Sequence, residues 1–243
     1  MKNLSIPTIL ESLIKIPSLT EDIVSCQKII NFSHDLLQKN GVQSKVLLTG
    51  NRPILVWGET NLLKTKWLIN SHLDVVPGKS NQFRPDFKNG KILGRGSVDT
   101  KGSVAILLSN ARLWKNIAVE KHITFMLVTD EETGGNSTKQ ILEKIPNLKG
   151  VIFLELTNEK IITEAKGIIQ VKITSNGKAC HGSRPWEGKS ALENITEQIT
   201  KFRKIHPTPT LETKETTFNL NSLFYCICLC FDDRFAKNVS VDS

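Results

Sequence analysis

Residues 66–78 read KWLINSHLDVVPG. The apolar run there is short, bounded by polar residues, and closed by Pro77 and Gly78, as a buried strand is, and His72 and Asp74 sit where that strand gives out. Two more short runs, ITFMLVT at 123–129 and VIFLEL at 151–156, have the same character. Between the first two lies 102–116, where Val104, Leu107, Leu108 and Ala111 recur as one helical face. Strands alternating with helices predict an open α/β sheet to about residue 160. Upstream, Ser18 with Glu21 reads as a capping box. It would start a helix bearing Ile23, Cys26, Ile30 and Leu37 and ending at Gly41.

The polar residues gather at the ends of these elements, where open α/β sheets collect their sites. His72 and Asp74 follow the first strand, Asp99 lies in GRGSVDTKG, Glu131 and Glu132 lie in TDEETGG, and Glu155 is near the end of the third strand. Carboxylate oxygens and neutral imidazole are what zinc, manganese or cobalt accept, and the interleaved glycines would leave a bridging carboxylate open to approach. Adjacent Glu131 and Glu132 repel unless a cation or a proton separates their roles, and metal ligand plus general base is one consistent division. Asp74, two residues from His72, can hold the imidazole in the tautomer that offers its other nitrogen to a metal. Taken singly, His72 also reads as a hydrogen-bonded strand-end histidine and Asp99 as a helix N-cap.

Composition narrows the classes. A content of 39% hydrophobic and 23% charged residues fits an ordinary globular protein. The first residues lack the uninterrupted apolar core of a secretory signal, no run reaches the ~18 apolar residues of a membrane span, and five cysteines suit reduced thiols, so the expected location is the cytoplasm. The net charge of +8 is scattered along the chain, with a single tyrosine for stacking, so nucleic acid is not an expected partner; small carboxylate substrates would suit a mildly positive field.

Beyond residue 164 the texture changes. Residues 168–175 alternate like a half-exposed strand, Ser190 and Glu193 cap a helix bearing Leu192, Ile195, Ile199, Phe202 and Ile205, and 224–231 form another apolar strand, whose Cys226, Cys228 and Cys230 read as packing residues. The expected division is 1–163 for a first domain and 164–243 for a small α+β domain.

Four motifs in register, NSHLDVVPG, GRGSVDTKG, TDEETGG and FLELT, followed by GKACHGSRPWEGKSALENI, resemble the metallopeptidase family of aminoacylase, acetylornithine deacetylase, succinyl-diaminopimelate desuccinylase and carboxypeptidase G. The resemblance implies a catalytic domain with an open mixed sheet flanked by helices, and a ferredoxin-like lid and dimerisation domain, with a homodimer as the candidate assembly. It implies a pair of divalent ions, zinc first and cobalt or manganese as alternatives. Asp99 would bridge them, His72 and Glu155 would complete one site, and Glu132 would serve the other. Asp74 would orient His72, and Glu131 would take a proton from the attacking water. His181 would steady the oxyanion from the small domain, and Arg234 stands where that domain often has a substrate-binding arginine. The implied reaction is hydrolysis of N-acyl amino acids or small peptides.

Members of that family are usually half as long again and supply one more histidine to the second ion, so that site is expected to lack it here. His34, His122 and His206 read as structural or surface residues. Two other readings stay open: a non-catalytic remnant that folds, dimerises and binds at most one ion, and a plain α/β binding module whose acidic residues cap helices.

Overall fold

A computed structural model describes residues 5–158, 160–164, 173–210 and 217. The chain divides into two units, 1–161 and 162–243.

The first unit starts with α1 (Ile6–Ile14), capped by the Ser5 hydroxyl with Pro7 in its first turn, and α2 (Ile23–Lys39). The cap of α2 is Asp22, whose carboxylate accepts the Ser25 N–H at 3.0 Å. Ser18, expected as the cap, instead donates its hydroxyl to the Leu73 carbonyl at 2.5 Å. Next come β1 (Ser44–Thr49), β2 (Arg52–Gly58), β3 (Trp67–His72), the ribbon β4 (Asp86–Lys88) and β5 (Lys91–Leu93), α3 (Lys101–Glu120), β6 (Ile123–Val128), α4 (Asn136–Leu142) and β7 (Gly150–Phe153). The main sheet runs β1-β2-β6-β3-β7. The pairs β1–β2 and β2–β6 are antiparallel, whereas β6–β3 and β3–β7 are parallel, so the sheet is mixed.

Alternate residues of β2 and β6 feed two cores, because successive strand side chains point to opposite faces. Leu55, Trp57, Phe125 and Leu127 pack with the apolar faces of α1, α2 and α3. Ile54, Val56, Met126 and Val128 pack with Leu68 and Ile141 of α4. Burial on both faces explains why these strands read as unbroken apolar runs. Phe125 stacks between Trp57 and Trp114, with ring centroids 5.1 and 5.6 Å apart. Among the described residues no helix is long and apolar enough to cross a membrane.

In the second unit, α5 (Ala191–Ile205) is capped by Ser190, whose hydroxyl accepts the Glu193 N–H at 3.1 Å. The expected strand at 224–231, with its three cysteines, lies outside the described residues, as does most of 168–175.

Candidate metal centre

The parallel strands β3, β6 and β7 end on one edge of the sheet, and the loops leaving that edge carry the residues singled out above. His72 is the last residue of β3 and lies opposite Val128, the last residue of β6. Its ring is wholly buried. Nδ1 lies 3.0 Å from the Asp74 carbonyl oxygen and 3.4 Å from Asp74 Oδ1. A carbonyl oxygen can only accept, so Nδ1 carries a proton and Nε2 faces the other way.

Around Nε2 gather the carboxylates. Asp99 Oδ1 is 2.9 Å away, Glu131 Oε2 3.8 Å and Glu155 Oε2 3.9 Å. Ligand atoms of His72, Asp99 and Glu132 all lie within 4.8 Å of one another. Among the described residues none of these carboxylates forms an ion pair with lysine or arginine.

Asp74, also fully buried, organises this arrangement. Its Oδ2 accepts the Thr20 hydroxyl at 2.8 Å and the Glu132 N–H at 3.2 Å, and its Oδ1 accepts the Glu131 N–H at 3.2 Å. Burial pushes its pKa up, but the hydrogen bonds from His72 and Thr20 outweigh burial and leave it below the usual carboxylate range. For His72 burial acts downward, yet the hydrogen bond and charge of Asp74, with Glu131 and Glu155, raise the imidazole to about 9. Burial and mutual repulsion lift Glu131 and Glu132 despite His72, and lift Glu155 to about 7.

These observations test the donor set for a metal. An imidazole nitrogen 2.9 Å from a carboxylate oxygen needs a proton or a cation between the two. A divalent cation would take the place of that proton, and its charge would offset the burial and mutual repulsion that raise Glu131, Glu132 and Glu155. The residues fit a metal.

Asp99 is not a helix cap: α3 is preceded by Thr100, which makes no side-chain cap bond. Thr100 donates its hydroxyl to the His72 carbonyl at 2.9 Å instead, tying the Asp99 loop to β3. The glycines around Asp99 serve packing and not access. A Cβ on Gly96, at φ +75°, would lie 2.7 Å from Val75 Cγ1. Two left-handed glycines, Gly134 (φ +109°) and Gly135 (φ +62°), turn the chain from the Glu131–Thr133 turn into α4. Asp130 accepts the Ser137 N–H at 2.8 Å at the start of that helix.

Thr20 and Thr100, whose hydroxyls bond Asp74 and the His72 carbonyl, carry no sequence signal of that role. Thr20 lies 54 residues from the carboxylate it donates to, and nothing local marks it. His181, in the second unit, sits on an exposed turn with Nδ1 2.7 Å from the Ser183 hydroxyl; Arg234 lies outside the described residues. His122 pairs with Glu59 at 3.2 Å and His34 with Ser44 at 2.8 Å.

The family model described as "Peptidase family M20/M25/M40" matches residues 68–226. A probable succinyl-diaminopimelate desuccinylase of Staphylococcus aureus is 27% identical over 186 residues, which cover 72% of this chain and 46% of that protein. A probable carboxypeptidase of Uncinocarpus reesii is 29% identical over 160 residues, 60% of this chain and 36% of that one. The chain therefore spans less than half the length of these relatives. Among solved structures, human carnosine dipeptidase 1 superposes with a TM-score of 0.51 at 16% identity, covering 62% of this chain and 38% of that one. Aminopeptidase PepT from Bacillus cereus does so with a TM-score of 0.51 at 20% identity, covering 87% and 58%. At such identities these likenesses concern the fold.

Proposed function

The chain belongs to peptidase family M20/M25/M40, and from that membership and the converging donors we propose that it is a metal-dependent hydrolase of amide bonds in N-acyl amino acids or small peptides. The observation that carries the reading is the approach of Asp99, Glu131 and Glu155 to within 3.9 Å of one buried imidazole nitrogen.

His72, Asp99 and Glu155 would hold one divalent ion, and Asp99 and Glu132 a second, zinc first and cobalt or manganese as alternatives. When bound, such ions polarise the scissile carbonyl and make a nearby water more acidic. Asp74 holds Nδ1–H of His72, so the lone pair of Nε2 points toward the carboxylates once its proton leaves. Glu131 takes the proton of the attacking water and returns it to the departing amine. Burial raises its pKa, which strengthens it as a base for the first transfer. His181 and Arg234 would contact the substrate oxyanion and carboxylate, with the second unit acting as lid and dimerisation domain.

Hydrolysis of N-acyl amino acids and dipeptides by the purified, zinc-supplied chain tests this. Glu131→Gln should keep the ion content and lower kcat by about 10²- to 10⁴-fold. Hydrolysis undiminished in that variant removes Glu131 from its role. One observation favours a second reading: among the described residues the cluster contains a single imidazole. A chain that binds one equivalent of zinc and hydrolyses nothing would be the non-catalytic remnant.

A further inference from the structure

A lysine two residues after Asp99 is placed where no solvent reaches it. Lys101 is 0% exposed, and its Nζ donates to the Leu13 carbonyl at 3.0 Å and to the Ile16 carbonyl at 2.9 Å. Leu13 lies in the last turn of α1, where its carbonyl also accepts the Ile16 N–H at 3.2 Å and the helix dipole favours a cation. The rest of the residue is equally engaged. Its N–H donates to the Gly96 carbonyl at 2.8 Å, and a Cβ on Gly96 would stand 3.1 Å from its Cδ. Lys101 thus touches both ends of the 96–101 loop that presents Asp99 and anchors that loop to α1.

The segment it anchors to also holds the other side of the cluster. After Ile16 the chain gives the Ser18 hydroxyl to the Leu73 carbonyl at 2.5 Å, accepts the Val75 N–H on the Ser18 carbonyl at 2.9 Å, and gives the Thr20 hydroxyl to Asp74 at 2.8 Å. Residues 13–20 therefore brace the His72–Asp74 loop directly and the Asp99 loop through Lys101.

We propose that Lys101 is a positioning residue that sets the distance between Asp99 and His72 by fastening the Asp99 loop to the end of α1. This rests on the reading of Asp99 and His72 as metal ligands. A lysine that merely fills core volume would be replaceable by methionine, which matches its length. A positioning lysine would not, because methionine removes both Nζ bonds and leaves the loop without its anchor, the Leu13 and Ile16 carbonyls keeping only the Ile16 and Ser18 N–H groups.

The experiment is titration of the full chain with Zn²⁺ by chelator competition, and with Co²⁺ by visible absorption, for wild type, Lys101→Met and the exposed control Lys115→Met. The expected result is a loss of zinc affinity of about tenfold or more in Lys101→Met, in the range typical for groups that orient ligands, with an altered cobalt band; Lys115→Met stays within about twofold of wild type. A folded Lys101→Met with wild-type affinity and spectrum overturns the proposal. If the wild-type chain binds neither ion, the ligand reading itself fails and carries this inference with it. Should Lys101→Met not fold, hydrogen exchange on the wild-type chain decides: zinc is expected to slow exchange at 13–16 along with 96–102, and protection confined to the loops overturns the anchoring role.

Discussion

The carboxylate of Asp74 accepts the main-chain N–H of Glu131 at 3.2 Å, so the residue that orients His72 also fixes the first residue of the turn bearing both glutamates. One buried side chain couples the loop after β3 to the loop after β6. Asp74→Ala should therefore weaken zinc binding by about 10- to 100-fold. Chelator competition measures it, and an unchanged affinity would show that the two loops hold their geometry without Asp74.

Protons and a bound metal would compete at this cluster. His72, raised from 6.5 to about 9, stabilises the ion-free fold fully below about pH 6.5 and loses that contribution as pH rises through 9. Glu155, raised from 4.5 to about 7, is penalised when ionised, so stability also falls as pH rises from 4.5 through 7. Burial lowers Lys101 from 10.5 to about 7, which acts in the opposite sense between those values. Because zinc displaces the protons of His72 and Glu155, the Tm gap between zinc-saturated and chelator-treated protein should widen from pH 6 to 9. Lys101 is common to both samples and largely cancels. A gap that does not change with pH contradicts the assignment of these two ligands.

Much of the candidate site was legible because its residues sit in short motifs at strand ends or before a helix. His72, Glu131, Glu132 and Glu155 follow from β3, β6 and β7, which their apolar runs mark within a few residues, and Asp99 from the start of α3. The hairpin β1–β2 is not among the expected strands, although Gly50 and Asn51 mark its turn; Pro53 inside RPILVWG weakens a strand reading there. Ser18 resembled a helix cap because its spacing to Glu21 is right; its hydroxyl is used 55 residues away. Thr20 and Lys101 act through tertiary hydrogen bonds, which leave no local pattern.

Thr20 supports Asp74 and is itself held, since the Arg52 guanidinium donates to its carbonyl. Thr20→Val keeps the shape but removes the donor. It should cost about 1 to 3 kcal/mol of stability, read by urea unfolding, and lower zinc affinity as well. A variant as stable as wild type would mean that Asp74 finds another donor.

Phe125 lies in the sheet core. Phe125→Ala, which empties the slot between Trp57 and Trp114, should destabilise the first unit by about 3 to 5 kcal/mol whether or not zinc is present. Denaturant unfolding with and without chelator checks this, and a loss below about 1 kcal/mol would mean that the ring stack contributes little.

The most direct test of the account is the amount of zinc retained by the wild-type chain and by His72→Ala after equilibrium dialysis. Two equivalents in wild type, with loss of the ion at the His72 site in the variant, are the predicted result. A wild-type chain that retains no zinc, or a His72→Ala chain that retains as much as wild type, would contradict the claim that these carboxylates and this imidazole converge to hold a metal.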